Sequence, residues 1–348
     1  GMDWYTEKED RVRCLQDTNG DGLADRSVIF ADGFNGTLDG TGAGLIMNGD
    51  ELWYTCIPNL WRLRDNDGDS KADVREAIHS GFGVRDALRG HDMHGLTWGP
   101  DGRLYWSIGD RGYHVERADG QVLADPHSGA VFRCEPDGSD LELFHTGLRN
   151  PQELAFDRYG YLFTGDNNSD GGDQARMVYC AEGGETGWEM NYQTLEGENN
   201  RGPWMQEGLW ETRHDGRPAW ALPPLKHVGS GPSGFVFYPG TGLSDRYEDH
   251  FFMCNFLGSP EHSGLISMRM VPDGAGFKVD DVHDFLKGVL CTDVEFDMNG
   301  SMMIADWVEG WYSTHTGRIL RVTDPACRDR CREVEVILTS DFSTIEPA

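Results

Sequence analysis

Apolar residues recur along this chain in short alternating bursts separated by Gly-rich turns. The clearest unit is an apolar-x-apolar run, a turn built on Gly, and a second apolar run that ends near an Asp. It spans 96–110, 154–166 and 294–306, with looser copies at 45–54 and 234–255. Each copy predicts a β-hairpin, because alternation places one face in a core and Pro-Asp-Gly or Asn-Gly supplies the reversal. A second set of hairpins follows at 130–144, 265–274 and 318–322. Two hairpins make a four-stranded blade. Five inner hairpins plus an N-terminal fragment therefore predict an all-β, six-bladed β-propeller of four-stranded blades, one domain over 1–348. The first blade reads as incomplete, with outer strands within 12–30 and no inner pair before them, as in an excised piece of a larger protein.

A longer repeat supports this reading. The stretch Asp17-Thr-Asn19-Gly-Asp21-Gly-Leu-Ala-Asp25 is echoed by Asp65-Asn-Asp67-Gly-Asp69-Ser-Lys-Ala-Asp73, 48 residues later, which is a blade-like period. Residues 183–224 break the pattern. They are rich in Gly, Asn, Trp and Glu, and read as a long capping loop on one face.

Composition narrows the function classes. Asp and Glu number 59 against 30 Lys and Arg, a net charge of −29, which repels nucleic acid and anionic lipid. No apolar run is long enough to span a membrane. The start is not charged-then-apolar, so no signal peptide is expected, and Gly1-Met2 reads as a cloning remnant. The eight Cys show no CxxC spacing, which removes zinc ribbons and covalent haem. Their even number permits disulfides, and free core thiols remain equally open.

Many of the acidic residues are regularly placed. Asp17, Asn19, Asp21 and Asp25, and likewise Asp65, Asp67, Asp69 and Asp73, put oxygen ligands at alternate positions with a Gly between, the layout that folds around a calcium ion. The distal Glu of a helix–loop–helix sensor is missing. The expectation is a calcium-stapled hairpin turn, and the alternative is an Asp/Gly turn without metal.

Three constellations carry candidate chemistry: Arg89-Gly-His91-Asp-Met-His94, Ile108-Gly-Asp110-Arg111-Gly-Tyr113-His114, and Gly147-Leu-Arg149-Asn150-Pro-Gln152, which leads to Asp166-Asn167-Asn168-Ser-Asp170-Gly-Gly-Asp173. His91 lies just before an inner strand, and Asp110 just after the same hairpin. The two are expected to meet, with the carboxylate orienting the imidazole as a general base.

At these residues the chain resembles the soluble pyrroloquinoline-quinone (PQQ) glucose/sorbosone dehydrogenases. The matching segments are His91 followed by Gly99-Pro-Asp-Gly and Tyr105-Trp-Ser-Ile-Gly-Asp110, then Gly147-Leu-Arg149-Asn150-Pro-Gln152, then Gly183-Gly-Glu-Thr-Gly-Trp188. The likeness is greatest to a bacterial subgroup often carried beside c-type haem domains, in which Asp-rich loops and an end like Trp307-Val-Glu-Gly-Trp311 recur. The resemblance implies His91 as base toward a sugar hydroxyl and Asp110 as its supporting carboxylate, while His94 stands as a further candidate for acid–base work from its place in the same loop. It implies Arg149 as the cation at the reduced cofactor, and Asn150, Asn167, Asn168 and Trp188 as cofactor contacts. It further implies calcium at Asp166, Asp170 and Asp173. The family grips the PQQ carboxylates with a lysine and two arginines. Those positions fall at Leu257, Leu290 and Thr292 here, and Lys226 and Lys287 are the candidate substitutes.

Three function classes follow. One is PQQ- and calcium-dependent oxidation of a sugar or related aldehyde or alcohol, with a c-type cytochrome as electron partner in a periplasmic or secreted setting. Another is a metal-dependent carbohydrate lyase, dehydratase or lactonase without PQQ. The last is a non-catalytic carbohydrate-binding propeller.

Overall fold

Three turns of one build anchor the strand pattern. In the computed structural model, which describes residues 9–84, 90–170, 173–189, 222–310 and 316–340, the N–H of Gly99 donates to the carbonyl of Arg103, that of Asp157 to Tyr161, and that of Asp297 to Ser301. The fourth residue of each turn is Gly102, Gly160 or Gly300, at φ +82°, +85° and +77°. A side chain would strain that left-handed backbone. The predicted hairpins at 96–110, 154–166 and 294–306 all close on this turn.

The chain divides into two compact units, Gly1–Leu154 with Cys180–Pro223, and Ala155–Tyr179 with Pro224–Ala348. In the first unit, β1 (Asp10–Gln16) and β2 (Arg26–Phe34) form a separate hairpin. The strands β3 (Leu45–Asn48), β4 (Glu51–Cys56), β5 (Asn59–Arg64) and β6 (Val74–Ser80) form an antiparallel sheet in chain order. The next sheet runs β7 (Met93–Trp98), β8 (Leu104–Ile108), β11 (Gly129–Cys134), β12 (Glu142–Leu148), with a hairpin of β9 (Tyr113–Glu116) and β10 (Val122–Asp125) between its halves in sequence. A two-residue strand, β16 (Gly184–Glu185), returns to this sheet parallel to β12. One apolar cluster, including Trp53 and Leu60 of the former sheet and Trp106 and Phe132 of the latter, forms the core of this unit.

The second unit holds three sheets. The first contains the end of β13 (Pro151–Phe156), from Ala155 on, with β14 (Leu162–Asp166), β15 (Arg176–Tyr179) and β17 (Lys226–His227). The next contains β18 (Pro232–Phe237), β19 (His250–Asn255), β20 (Gly264–Asp273) and β21 (Gly276–Lys287). The last contains β22 (Cys291–Phe296), β23 (Met302–Asp306) and β24 (Arg318–Val322), and is followed by the helix α1 (Arg328–Leu338). Phe163, Met177, Phe235, Phe251 and Met253 form one of its cores, and Phe252, Cys254, Val294 and Ile304 belong to another.

The architecture is all-β and of β-propeller type, but the blade sheets number five among the described residues, not the six expected. The N-terminal fragment accounts for the difference. It supplies only the β1–β2 hairpin, whose Val12 and Phe34 are buried against Tyr54, Cys56 and Leu63 of the β3–β6 sheet. A hairpin that buries its apolar face on an existing blade needs no inner pair of its own. The four-stranded rule is also too uniform: the β22–β24 sheet has three strands and β16 gives a fifth to the β7–β12 sheet. Of the expected capping loop at 183–224, residues 190–221 lie outside the described residues.

All eight cysteines are free thiols, six of them buried. Among the described residues no helix is long and apolar enough to cross a membrane.

Candidate active site

The register of the β7–β12 sheet gathers the site. Met93 of β7 faces Ile108 of β8, Ile108 faces Ala130 of β11, and Gly129 faces Leu148 of β12. The residues just before β7, just after β8 and just after β12 therefore emerge at one end of one sheet. These are His91, Asp110 and Arg149. Trp188 arrives at the same end because β16 runs parallel to β12, and the Trp188 N–H donates to the Gly147 carbonyl at 2.9 Å.

At that end His91 Nδ1 lies 2.7 Å from Asp110 Oδ1. Trp188 Nε1 donates to the other oxygen, Asp110 Oδ2, at 2.8 Å, and the Asp110 N–H donates to the Arg149 carbonyl at 2.7 Å. Asp110 is fully buried, and His91, Arg149 and Trp188 nearly so. The Arg149 guanidinium lies over the Trp188 ring at 5.5 Å from its centroid. A carboxylate can only accept, so Asp110 fixes the His91 tautomer with the proton on Nδ1. The lone pair is then on Nε2, the nitrogen a base would use.

Close packing enforces the arrangement. A Cβ on Gly109 would come within 2.6 Å of the His91 carbonyl oxygen, and one on Gly147 within 2.5 Å of the Gly187 nitrogen. Asn150 is buried, with Oδ1 on the same side of Gly109. Beneath the dyad, Asp92 is buried and accepts from Arg111 Nη1 at 2.6 Å and from the Thr41 N–H at 2.7 Å. Sequence reading passed over Asp92, because a buried structural carboxylate between two histidines has no pattern of its own.

The other candidates are placed differently. His94 Nε2 bonds the Gly90 carbonyl at 2.8 Å. Burial lowers its pKa. The unfolded chain therefore takes up this proton first, and the stabilisation is complete above the ordinary value of about 6.5 and lost as pH falls below it. Urea midpoints are expected to fall between pH 7 and pH 5, and His94→Gln to flatten that slope. Arg89 lies outside the described residues.

In the second unit, Asp166 ends β14 fully buried in an ion pair with Arg176 of β15, its cross-strand neighbour. Asn168 Nδ2 donates to the Asp173 carbonyl at 3.3 Å, and the Asp173 carboxylate accepts from Ser169 N–H and Oγ. Asn167 Oδ1 accepts from the Asn168 N–H. Asp170 sits at φ +58°, and residues 171–172 are outside the described set. The turn is thus held by its own hydrogen bonds, and Asp166, Asp170 and Asp173 do not form a close ligand group.

The two acidic turns are built alike. Asp17 accepts from the N–H groups of Gly20 and Gly22, and Asp65 from those of Gly68 and Ser70. Asn19 and Asp21 cap the N–H groups two residues on, as do Asp67 and Asp69. Asp25 and Asp73 close their loops onto Thr18 and Asn66. Oxygens of Asp65, Asp67 and Asp73 come within 4.8 Å of one another, with Asp69 outside that group.

A family model described as "Domain of unknown function (DUF7133)" matches residues 2–288. The chain belongs to this family. No curated protein matches it. Solved structures similar to this DUF7133 chain include a glucose dehydrogenase, with a TM-score of 0.64, 16% identity and 90% of each chain covered. The PQQ-bound form of an aldose sugar dehydrogenase from Streptomyces coelicolor has a TM-score of 0.54 and 18% identity, covering 87% of this chain and 86% of that one. A calcium structure of the Trichoderma reesei carbohydrate-active enzyme of family AA12 has a TM-score of 0.52 and 13% identity, covering 88% and 86%. At such identities the likeness is one of fold.

Within the DUF7133 chain, the role of Trp188 differs from a cofactor contact in one respect: its indole N–H is spent on Asp110. Trp188→Phe is expected to remove that donor and cost about 1–3 kcal/mol of stability, read as a lowered urea midpoint.

Proposed function

We propose that the chain acts on a carbohydrate hydroxyl, with His91 Nε2 taking its proton, while an oxidation passes the hydride of the same carbon to a two-electron acceptor of the quinone class from outside the chain. The run Trp188–Asp110–His91 carries this reading, because it buries a carboxylate solely to orient one imidazole. As the proton leaves, negative charge develops on the sugar oxygen, and the Arg149 guanidinium at the same end of the sheet offsets it. The likeness in fold to sugar dehydrogenases supports the substrate class.

PQQ, when bound in such a site, supplies the hydride acceptor. The residues here do not fit its three carboxylates at the positions the resemblance marks. Leu290 is fully buried, Thr292 Oγ1 donates to the Ala305 carbonyl at 3.4 Å, and Leu257 is an apolar side chain at 40% exposure. Of the substitutes, Lys287 is paired with Asp284 at 2.8 Å, and Lys226 lines a cleft beside His283. No step is therefore derived through PQQ. The same mismatch favours a second reading, in which His91 performs redox-neutral elimination or lactone chemistry on a carbohydrate. Calcium at the Asp65–Asp67–Asp73 turn fits either reading as a structural ion. A periplasmic or secreted setting and a cytochrome partner belong to the first.

The deciding experiment follows dye reduction with a panel of aldoses while PQQ and calcium are titrated in. Saturable, sugar-dependent reduction supports oxidation. Acceptor-independent turnover supports the second reading. In either case His91→Ala is expected to lower turnover by about 10²–10⁴-fold, and unchanged turnover would remove His91 from the chemistry.

A further inference from the structure

A second cluster of chemistry-bearing side chains lies in the β18–β21 sheet. His250 opens β19, and Asp281 and His283 stand on β21. One nitrogen of each imidazole and one oxygen of Asp281 lie within 4.8 Å of one another. The β20–β21 pairing is irregular at this point. Ser267 faces His283 while Arg269 faces Asp280, so β21 carries one extra residue, and Asp281 takes φ +51°. Left-handed backbone at a non-glycine position and a bulge that re-aims side chains are both costs that local interactions must offset.

The hydrogen bonds say what kind of ligand this cluster takes. His250 Nδ1 lies 3.1 Å from the Glu248 carbonyl oxygen, which can only accept. The ring proton is therefore on Nδ1, and the lone pair of Nε2 points at Asp281 Oδ2, 3.2 Å away. Two lone pairs facing at that distance repel unless a cation lies between them. Arg246 supplies one: its Nη1 is 3.0 Å from His250 Nε2 and 2.7 Å from Asp281 Oδ2. Its side chain is 47% exposed, at the centre of the 3-10 turn Asp245–Tyr247, so the guanidinium can withdraw to solvent. His283 also borders a cleft of about 300 Å³ shared with Lys226 and His227.

We propose that His250, Asp281 and His283 bind a divalent transition-metal ion of the zinc class, and that Arg246 is the resident cation the metal displaces. Two imidazoles and one carboxylate suit zinc and leave a fourth position for water. A backbone carbonyl holding the far nitrogen of a ligating histidine is the usual second layer of such sites. The site is independent of the His91 chemistry and stands in the other compact unit.

The test is a zinc titration of the full chain against a chromophoric chelator, with excess calcium present to occupy oxygen-only sites. Arg246→Gln is expected to tighten one zinc site by about ten-fold, by removing the competing charge. His283→Gln is expected to weaken the same site by about 10–100-fold, and His227→Gln to leave it unchanged. Cobalt added to the Arg246→Gln protein should give the visible bands of a nitrogen- and oxygen-ligated tetrahedral ion, and addition of His283→Gln should abolish them. Zinc affinity indifferent to both Arg246→Gln and His283→Gln, or no zinc binding in either the parent or the Arg246→Gln protein, overturns the proposal.

Discussion

Replacing Asp110 by Asn is expected to lower turnover by about 10²–10⁴-fold with little change in KM, although the side chains are the same size. The reason lies in the donor on the far side. Trp188 Nε1–H needs an acceptor, so the new amide would turn its oxygen toward the indole and its NH2 toward His91. His91 Nδ1 would then have to accept, which moves the ring proton to Nε2 and blocks the base. Nitrogen chemical shifts of His91 report the tautomer directly. A variant that keeps the Nε2 lone pair, or that keeps its turnover, would show that Asp110 does not set the base. The companion Trp188→Phe, Asp110→Asn double variant frees the amide to turn over and should recover part of the loss.

Breaking the Asp166–Arg176 pair is expected to cost about 3–5 kcal/mol. Both groups are essentially inaccessible to water. Arg176→Met would leave the Asp166 charge in a dry setting, next to the apolar cluster that includes Met177 and Phe163. Removing both charges together with Asp166→Leu should return much of the loss, because the pair is offset by its own desolvation. Urea unfolding of the three proteins measures this. Equal losses for the single and the double variant would mean that the ion pair itself, and not the orphaned carboxylate, carries the energy.

The parts of the fold legible in the sequence were those written in local chemistry. The turns at Gly102, Gly160 and Gly300 need glycine, and the strands on either side alternate, so the hairpins could be placed to within about three residues. The number of blades was not local. It depended on whether the 12–30 region would recruit an inner hairpin or lie down on its neighbour, and Val12 and Phe34 look alike in both cases. His91 and Asp110 were legible because they bracket one hairpin. Trp188 was found through its motif, but its bond to Asp110 was not legible, since nothing in 183–188 reveals that a two-residue strand docks on β12. The bond of His94 to the Gly90 carbonyl was illegible for a similar reason: it has no pattern in sequence.

That two-residue strand has a further consequence. β16 is joined to the sheet edge by parallel pairing of Gly184 and Glu185 with His145 and Thr146, and it is backed by the Thr186 hydroxyl donating to the Gly147 carbonyl. So small a patch opens far more readily than the blade beneath it, in a local event that leaves the rest of the chain folded. Each opening carries the indole away from Asp110 and admits water to a carboxylate that is otherwise sealed. The orientation of His91 is in this sense gated by a latch at the sheet margin. Amide exchange at Trp188 and competence of the base should therefore rise and fall together, well before the core gives way.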